Sequence, residues 1–346
     1  MPDIDGDGYS DIAVGTPSVP FDIFFNRDAG AAIATLAGAV TLLSGQCGTV
    51  LCSRSASRGE SAYGFAIIGV PDYDNDGIRD LAIGSPRLEA DGVASVHVLS
   101  GATLGTIRII PSPRIATEVG PISEWLSAGV FRARHKHSFG TSLAFFAWPG
   151  KREAYLAIGS PLHSPNGLTH AGSLDLVEYP ECSYARTLDG YSRRDYYGIS
   201  IGPALYLNHV PSFLLPAWHR RLDLVTLPAM NVQALHEVAG RTGFGHSILG
   251  VPDVNADGVP EVVVSDCELR HDADSYSVRL IDGLSGEQLS GLSTGHDQVV
   301  VCGPTSIPDP LGPLVMCVAP YAGRALLIRV TPIEMELLAM FDISVK

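Results

Sequence analysis

YGFAIIGVPDYDNDGIRDLAIGSP, residues 63–86, contains the pattern from which the fold of this chain can be inferred. An aromatic-glycine pair opens a short apolar run, and an acidic loop and a second apolar run follow it. The second run ends in Gly-Ser-Pro, which is typical of a turn. Two short apolar runs on either side of a tight polar loop indicate a strand, a loop and a second strand.

The same order of features recurs at intervals of about 60 residues. The aromatic-glycine pairs are Tyr63-Gly64, Phe139-Gly140, Tyr197-Gly198 and Phe244-Gly245. The turns that end in Pro, or resemble such turns, are at residues 15–17, 84–86, 159–161 and 318–320, with Leu227-Pro228 and Ser265-Asp266 as altered copies. An alternating apolar segment follows each turn, and the examples are residues 39–45, 95–101, 173–179, 277–283 and 325–330.

Repeats of four alternating strands predict an all-β propeller, because stacked four-stranded blades bury faces that one repeat alone would expose. We count six repeat units, which predicts six or seven blades in a single domain over residues 1–346. The units cover residues 1–59, 60–136, 137–194, 195–241, 242–295 and 296–346. The first unit has no aromatic-glycine pair, so we expect an incomplete first blade and favour a truncated chain start as the reason. Residues 18–38 and 111–136 are predicted to be loop inserts.

Three loops share an acidic pattern that predicts calcium sites. Ligand side chains stand at loop positions 1, 3, 5 and 9, glycine at position 6, and position 7 can supply a backbone carbonyl. Ca²⁺ takes six to eight oxygen ligands in irregular geometry, which such a tight loop can provide. The predicted ligands are Asp3, Asp5, Asp7, Tyr9 and Asp11; Asp72, Asp74, Asp76, Ile78 and Asp80; and Asp253, Asn255, Asp257, Val259 and Glu261.

Other interpretations of these loops are less consistent with the sequence. An EF-hand needs a glutamate at position 12 between flanking helices, but Val14, Ile83 and Val264 stand there, each inside an apolar strand. The loops contain no cysteine or histidine, which disfavours zinc and copper. A solvated acidic turn without metal is the remaining alternative. We expect two or three Ca²⁺ ions, with weaker binding in the third loop because Asn255 replaces a carboxylate.

The repeat unit resembles the FG-GAP repeat of integrin α-subunit propellers and of many bacterial surface proteins. Its aromatic-glycine pair, DxDxDGxxD loop and Gly-Ala-Pro-like turn carry this resemblance. The second and fifth units have the whole signature, the first has most of it, and the others match in register. The resemblance implies an extracellular propeller, usually seven-bladed, whose Ca²⁺ ions brace loops on one face, and we expect a bacterial origin.

The composition bears on partners and location. The net charge is −14 with no basic block, which argues against nucleic acid. The sequence contains no run of about 18 apolar residues, so we expect no membrane span. The chain start does not resemble a signal peptide. The pairs Cys47 with Cys52 and Cys302 with Cys317 are placed either to form local bridges or to remain free thiols.

No catalytic residue is predicted. The GxSxG sequences at 198–202 and 291–295 lack the strand-to-helix context of a nucleophile elbow. His135 and His137 lie near Trp125 and could form a metal or acid-base cluster with His163 or His170. A solvated basic loop explains the pair better. We therefore expect a non-enzymatic cell-surface or extracellular protein that recognises or adheres to a protein or carbohydrate ligand. A carbohydrate-binding or hydrolytic propeller, and an inactive fragment of a larger surface protein, are the alternatives.

Overall fold

The computed structural model describes residues 3–17, 38–56, 62–86, 94–114, 138–148, 153–207, 209–217, 221–238, 243–266, 277–294, 299–304, 309–319 and 322–342. Within these ranges the structure is β-strand and connecting loop, apart from 3-10 helix at Pro165–Gly167 and at Ala322. The chain divides into two compact units, Met1–Arg193 and Arg194–Lys346. Apart from Gly38 and residues 111–114, both predicted inserts lie outside the described residues.

The first unit contains three antiparallel sheets, which we number blades one to three. Blade one consists of β1 (Ile12–Thr16), β2 (Ala39–Leu43) and β3 (Val50–Ser55). Blade two consists of β4 (Ile67–Val70), β5 (Asp80–Ser85), β6 (Ser95–Leu99) and β7 (Thr106–Pro111). Blade three consists of β8 (Leu143–Ala147), β9 (Ala154–Ser160), β10 (Ser173–Tyr179) and β11 (Ser183–Asp189).

The second unit contains blades four to six. Blade four consists of β12 (Ala204–Leu207), β13 (Val210–Ala217), β14 (Arg221–Thr226) and β15 (Asn231–Glu237). Blade five consists of β16 (Phe244–Val251), β17 (Glu261–Asp266), β18 (Val278–Ile281) and β19 (Gln288–Leu292). Blade six consists of β20 (Val300–Pro304), β21 (Leu314–Ala319), β22 (Arg324–Val330) and β23 (Met335–Asp342).

Every sheet is a meander in which each strand pairs with the next one along the chain. This topology confirms the predicted all-β propeller and gives it six blades. Blade one has three strands among the described residues, the number that the prediction of an incomplete first blade requires. The alternating segments that the sequence indicates coincide with the third strand of the complete blades, β6, β10, β18 and β22, and with the corresponding β2 of blade one.

The hydrophobic core lies between consecutive blades of each unit. Between blades one and two it contains Val40, Leu42, Leu81 and Ile83. The second strand of a complete blade is covered on both faces, and every residue of β5 is buried. Strands covered in this way read as continuous apolar runs, which explains Leu-Ala-Ile after the acidic loop.

The aromatic residues of the aromatic-glycine pairs are packing residues. All four are completely or almost completely buried: Tyr63, Phe139, Tyr197 and Phe244. The Tyr63 ring meets His97 of the same blade edge-on, with 5.3 Å between ring centroids. Each ring therefore fills the core instead of forming an exposed aromatic surface for a ligand.

The glycine of the aromatic-glycine pair contacts the glycine of the turn, both within a blade and between consecutive blades. Gly64 has a φ of +84°, which L side chains rarely adopt, and its amide donates to the Gly84 carbonyl of the same blade. A Cβ on Gly15 would lie 2.0 Å from the Gly64 carbonyl oxygen, and a Cβ on Gly84 would lie 2.0 Å from the Gly140 carbonyl oxygen. The turn glycine is therefore required by the close approach of the next blade.

One of the altered turn copies was placed wrongly. Leu227-Pro228 lies between β14 and β15, the third and fourth strands of blade four, and not at the end of the second strand. Pro216-Ala217 occupies that end, and a Cβ on Gly245 would lie 2.3 Å from the Pro216 Cβ. A proline side chain thus fills the space next to the following aromatic-glycine pair. Ser265-Asp266 does end the second strand of blade five.

The cysteines of the described residues are all free thiols: Cys47, Cys52, Cys182, Cys302 and Cys317. This agrees with the free-thiol alternative for both predicted pairs. Burial raises the pKa of the Cys317 thiol to about 12, so this group is un-ionised and unreactive at neutral pH.

Candidate metal centres

The three acidic loops occupy one position in the blade, immediately before the second strand of a complete blade, to which β1 corresponds in blade one. Residues 3–11 lead into β1, residues 72–80 into β5 and residues 253–261 into β17. Their backbones have the same shape at the two points where φ is positive. Position 4 has φ values of +77°, +62° and +65° at Gly6, Asn75 and Ala256, and position 6 has +91°, +90° and +91° at Gly8, Gly77 and Gly258. The loops are therefore three copies of one structure.

The first aspartate of each loop organises the turn. Asp72 Oδ1 accepts hydrogen bonds from the amides of Asn75 (2.6 Å) and Asp76 (3.2 Å), and its Oδ2 accepts one from Gly77 (2.8 Å). Asp3 and Asp253 accept the three equivalent amides in their own loops. These bonds turn the backbone around the carboxylate and leave the other side chains of the loop crowded together.

The acid at position 9 ties the loop to a neighbouring hairpin. Asp80 Oδ2 accepts the Tyr73 amide (2.6 Å), and its Oδ1 accepts the amide of Gly101, which follows the third strand (3.0 Å). Asp11 makes the same two bonds to Ile4 and Gly45. A Cβ on Gly101 would lie 2.0 Å from the Arg79 carbonyl oxygen, so the hairpin approaches the loop too closely for any side chain there.

Three groups of carboxylates converge within these loops. In each group, three carboxylate oxygens lie within 4.8 Å of one another. The groups are Asp3, Asp5 and Asp11; Asp72, Asp74 and Asp80; and Asp253, Asp257 and Glu261. Nine of the fifteen predicted ligands are therefore brought together, and such acidic clusters can hold a metal ion.

The other predicted ligands lie in the same loops but outside these groups. Asp7 Oδ2 accepts a hydrogen bond from the Ser44 hydroxyl (2.9 Å), and its Oδ1 accepts the Tyr9 amide. Asp76 Oδ1 accepts the Ile78 amide, and Asn255 Oδ1 accepts the Asp257 amide. The carbonyl ligands expected from Tyr9, Ile78 and Val259 stay a prediction.

The electrostatics of the groups favour a cation. Burial, reinforced by the nearby charges of Asp74 and Asp72, raises the pKa of Asp80. Burial and the charges of Asp253 and Asp257 also raise the pKa of Glu261. Carboxylates with raised pKa values are those whose negative charge is poorly compensated, and a bound cation supplies this compensation.

The donor set fits a hard cation. All side-chain donors of the three groups are oxygens, and the charge is concentrated in each loop. Glu261 is completely buried, and its Oε1 accepts no hydrogen bond from the part of the chain that the structure describes. A buried carboxylate oxygen without a donor is costly unless a cation binds it. These residues would therefore suit Ca²⁺ better than a softer metal.

Among the residues that the structure describes, the other candidates do not form a catalytic arrangement. The predicted cluster members Trp125, His135 and His137 lie outside the described residues. His163 Nδ1 contacts the Ser173 hydroxyl, which itself donates to Asp189 Oδ1 (2.8 Å). Here the serine lies between the histidine and the aspartate, whereas nucleophilic activation requires the histidine in the middle.

The serines of the repeat have structural partners. Ser200, in the first GxSxG sequence, donates its hydroxyl hydrogen bond to the Gly245 carbonyl (2.8 Å). Ser247 bonds to the Ser265 side chain (2.7 Å) and accepts the Val301 amide (2.8 Å), which joins blades five and six. These hydroxyls thus connect neighbouring blades.

The comparisons with known proteins agree with this architecture. The model of the FG-GAP repeat family matches residues 2–34. Integrin alpha-3 of Cricetulus griseus is 27% identical over 112 residues, which are 31% of this chain and 9% of the integrin. The crystal structure of rhamnogalacturonan lyase YesW superposes with a TM-score of 0.52 at 14% identity, over 96% of this chain and 55% of the lyase.

The six blades, the family-model match and the integrin relative together support a propeller of the FG-GAP type. The likeness to the lyase shows the fold alone, because the two sequences share few residues. The chain spans about a tenth of the length of the integrin and about half of the lyase. Among the described residues no helix has the length and apolarity to cross a membrane.

Proposed function

We propose that this protein is a calcium-binding propeller of the cell surface or extracellular space that serves recognition or adhesion. The observation that carries the proposal is the repetition of one loop geometry in three blades, each with three carboxylate oxygens within 4.8 Å. Surface charge alone does not require the same φ values, the same amide bonds and the same acidic positions in separate loops.

Calcium is the metal that these loops suit best. The predicted ligands are all oxygens, and the loops are irregular, which Mg²⁺ with its near-ideal octahedral geometry tolerates poorly. Millimolar extracellular Ca²⁺ would keep even weak sites filled. We propose that the fifteen predicted residues hold two or three ions, including the carbonyls of Tyr9, Ile78 and Val259.

The bound ions would act as structural staples. The position-9 acid is bonded to the loop and also to the glycine after the third strand, at Gly45 in blade one and Gly101 in blade two. An ion held by this acid would therefore fasten the loop to the neighbouring hairpin as well as fold the loop itself. Metal binding would then stabilise the folded chain, because the unfolded chain offers no such assembled site.

Recognition would use loops and not the metal groups themselves. The FG-GAP type of the propeller and its integrin relative support a role in binding a protein or carbohydrate ligand. Loops carry binding residues more often than the strands that position them, and propellers present many loops on a rigid frame. The ions would fix the shape of three of these loops.

Thermal melting with excess CaCl₂ and with excess EGTA tests the calcium proposal. EGTA should lower the melting temperature by several degrees for each site that calcium fills, because a ligand at 100 times its Kd adds about 2.7 kcal/mol of stability. A melt in MgCl₂ distinguishes calcium from a general effect of divalent ions. Equal melting temperatures in calcium and in EGTA would refute the proposal.

A further inference from the structure

The third acidic loop differs from the first two at position 3, where Asn255 stands in place of Asp5 and Asp74. The loop itself therefore contains three carboxylates, at Asp253, Asp257 and Glu261. The structure places a fourth carboxylate beside it. The Asn255 side-chain amide donates a hydrogen bond of 2.6 Å to Oδ2 of Asp282, a residue 27 positions further along the chain.

Asp282 occupies a position from which blade one also contacts its acidic loop. It directly follows β18 and precedes Gly283, whose Cβ would lie 2.2 Å from the Pro260 carbonyl oxygen. Ser44 holds the same position in blade one, and its hydroxyl donates to Asp7 of the first loop at 2.9 Å. The residue before the close-packed glycine therefore lies over the acidic loop, and in blade five this residue is an acid.

The pair fixes the orientation of the Asn255 amide. Asn255 Oδ1 accepts the Asp257 amide at 2.9 Å, while its Nδ2 is bonded to Asp282. Asp282 is itself held, because its Oδ1 accepts the amides of Leu284 (2.8 Å) and Ser285 (2.6 Å). Asp282 is 5% exposed, so its negative charge is largely removed from solvent next to a loop that already contains three acids.

A second observation in the same loop indicates a ligand. Both carboxylate oxygens of Asp11 and of Asp80 accept backbone amides. The equivalent Glu261 accepts the Val254 amide through Oε2, whereas its buried Oε1 has no hydrogen-bond donor among the described residues. The third loop thus contains a buried carboxylate oxygen without a donor, and burying such an oxygen is costly unless a cation binds it.

We propose that Asp282 belongs to the third metal site as a positioning carboxylate. It holds Asn255 so that Oδ1 remains available to the cation, and it restores the four carboxylates that the first two loops contain. Outer carboxylates that orient a ligand raise metal affinity. The third site therefore binds Ca²⁺ about as tightly as the first two, contrary to the expectation from its sequence. This inference rests on the proposed calcium function.

Calcium titration of the metal-free protein by isothermal calorimetry tests the inference with four chains. D282S introduces the residue that blades one and two have at this position, and D282N keeps an oxygen acceptor for the turn amides while it removes the charge. Each should weaken one of three sites by about 10- to 100-fold and leave two unchanged. The double variant N255D/D282S reproduces the first two loops at both positions and should restore the third site.

The outcomes separate this inference from the calcium function itself. Wild-type protein that binds no calcium overturns both. Wild-type protein with three sites, together with D282S and D282N titrations equal to it, overturns the role of Asp282 and leaves the calcium function standing. If Asp282 only supported the turn at residues 283–286, N255D would not restore affinity, so a failed rescue also overturns the inference.

Discussion

At the scale of single residues, each acidic loop has side chains that shape the loop and side chains that are free to bind. Asp72 is bonded to three amides of its own loop, whereas Asp74 and Asp76 are exposed and each accepts one amide. Substitution of the exposed pair should therefore remove ligands without removing the bonds that Asp72 makes.

Asp74→Ala combined with Asp76→Ala should lower the calcium stoichiometry of the protein by one. The variant should keep its fold, because both side chains are exposed, and lose part of the calcium-dependent rise in melting temperature. Equilibrium dialysis with ⁴⁵Ca measures the stoichiometry directly. Glu153→Gln combined with Glu181→Gln also removes two acids, outside the three loops, and serves as the control. An unchanged stoichiometry in the Asp74/Asp76 variant would mean that the loop is only an acidic turn.

At the scale of strands and blades, the turn glycine is the most restricted element of the repeat. Gly84, the penultimate residue of β5, lies next to the Gly140 carbonyl of blade three, and the backbone there cannot move away without opening the core. Gly69 lies on the neighbouring β4 and would place a Cβ in open space, with nothing within 4 Å. Gly84 and Gly69 lie in the same blade and thus provide a matched pair of sites for substitution by alanine.

Gly84→Ala should destabilise the protein by about 2–3 kcal/mol or more, because overpacking against backbone atoms forces neighbouring blades apart. Gly69→Ala should be neutral or add up to about 1 kcal/mol, since alanine is favoured over glycine inside a strand. Urea denaturation of both variants in calcium measures the difference. Equal stabilities of the two variants would contradict the close approach of blades two and three.

The strands could be predicted from the sequence because each blade repeats local patterns. Alternation over residues 95–101 and 173–179 located β6 and β10 to within two residues. The turn of blade four was misplaced because its glycine position is occupied by Pro216, which breaks the local signal while it fills the same space. Packing against the next blade determines this position, and a single repeat does not reveal such packing.

The acidic loops could be located from spacing alone, but their connections could not. Nothing in the pattern indicates that the position-9 acid binds a glycine 34 residues away in blade one, or 21 residues away in blade two. The role of Asp282 was missed for the same reason, since its 27-residue separation from Asn255 is closed only by the fold. In blades one, two and five a glycine follows this position, and this shared glycine is the signal that could have revealed the contact.

At the scale of the whole molecule, the loops couple calcium binding, stability and pH. In the metal-free folded protein the pKa values of Asp80 and Glu261 are raised above the ordinary values of 3.8 and 4.5, mainly by burial. Between the ordinary and the raised values, the folded chain binds more protons at these groups than the unfolded chain does. Their contribution to the free energy of unfolding therefore increases as the pH falls through this window.

Bound calcium reverses this dependence, because it keeps the same carboxylates ionised. The calcium-bound folded chain then takes up fewer protons than the unfolded chain, so acid weakens it. The difference in melting temperature between protein in excess calcium and protein stripped of calcium by a chelating resin should consequently shrink as the pH is lowered from 7 toward 4. Because all other groups titrate equally in both solutions, scanning calorimetry at matched ionic strength isolates the loops. The Asp74/Asp76 alanine variant should show a smaller difference at every pH. A difference that stays constant down to pH 4 would show that calcium stabilises the protein without ionised carboxylates as its ligands.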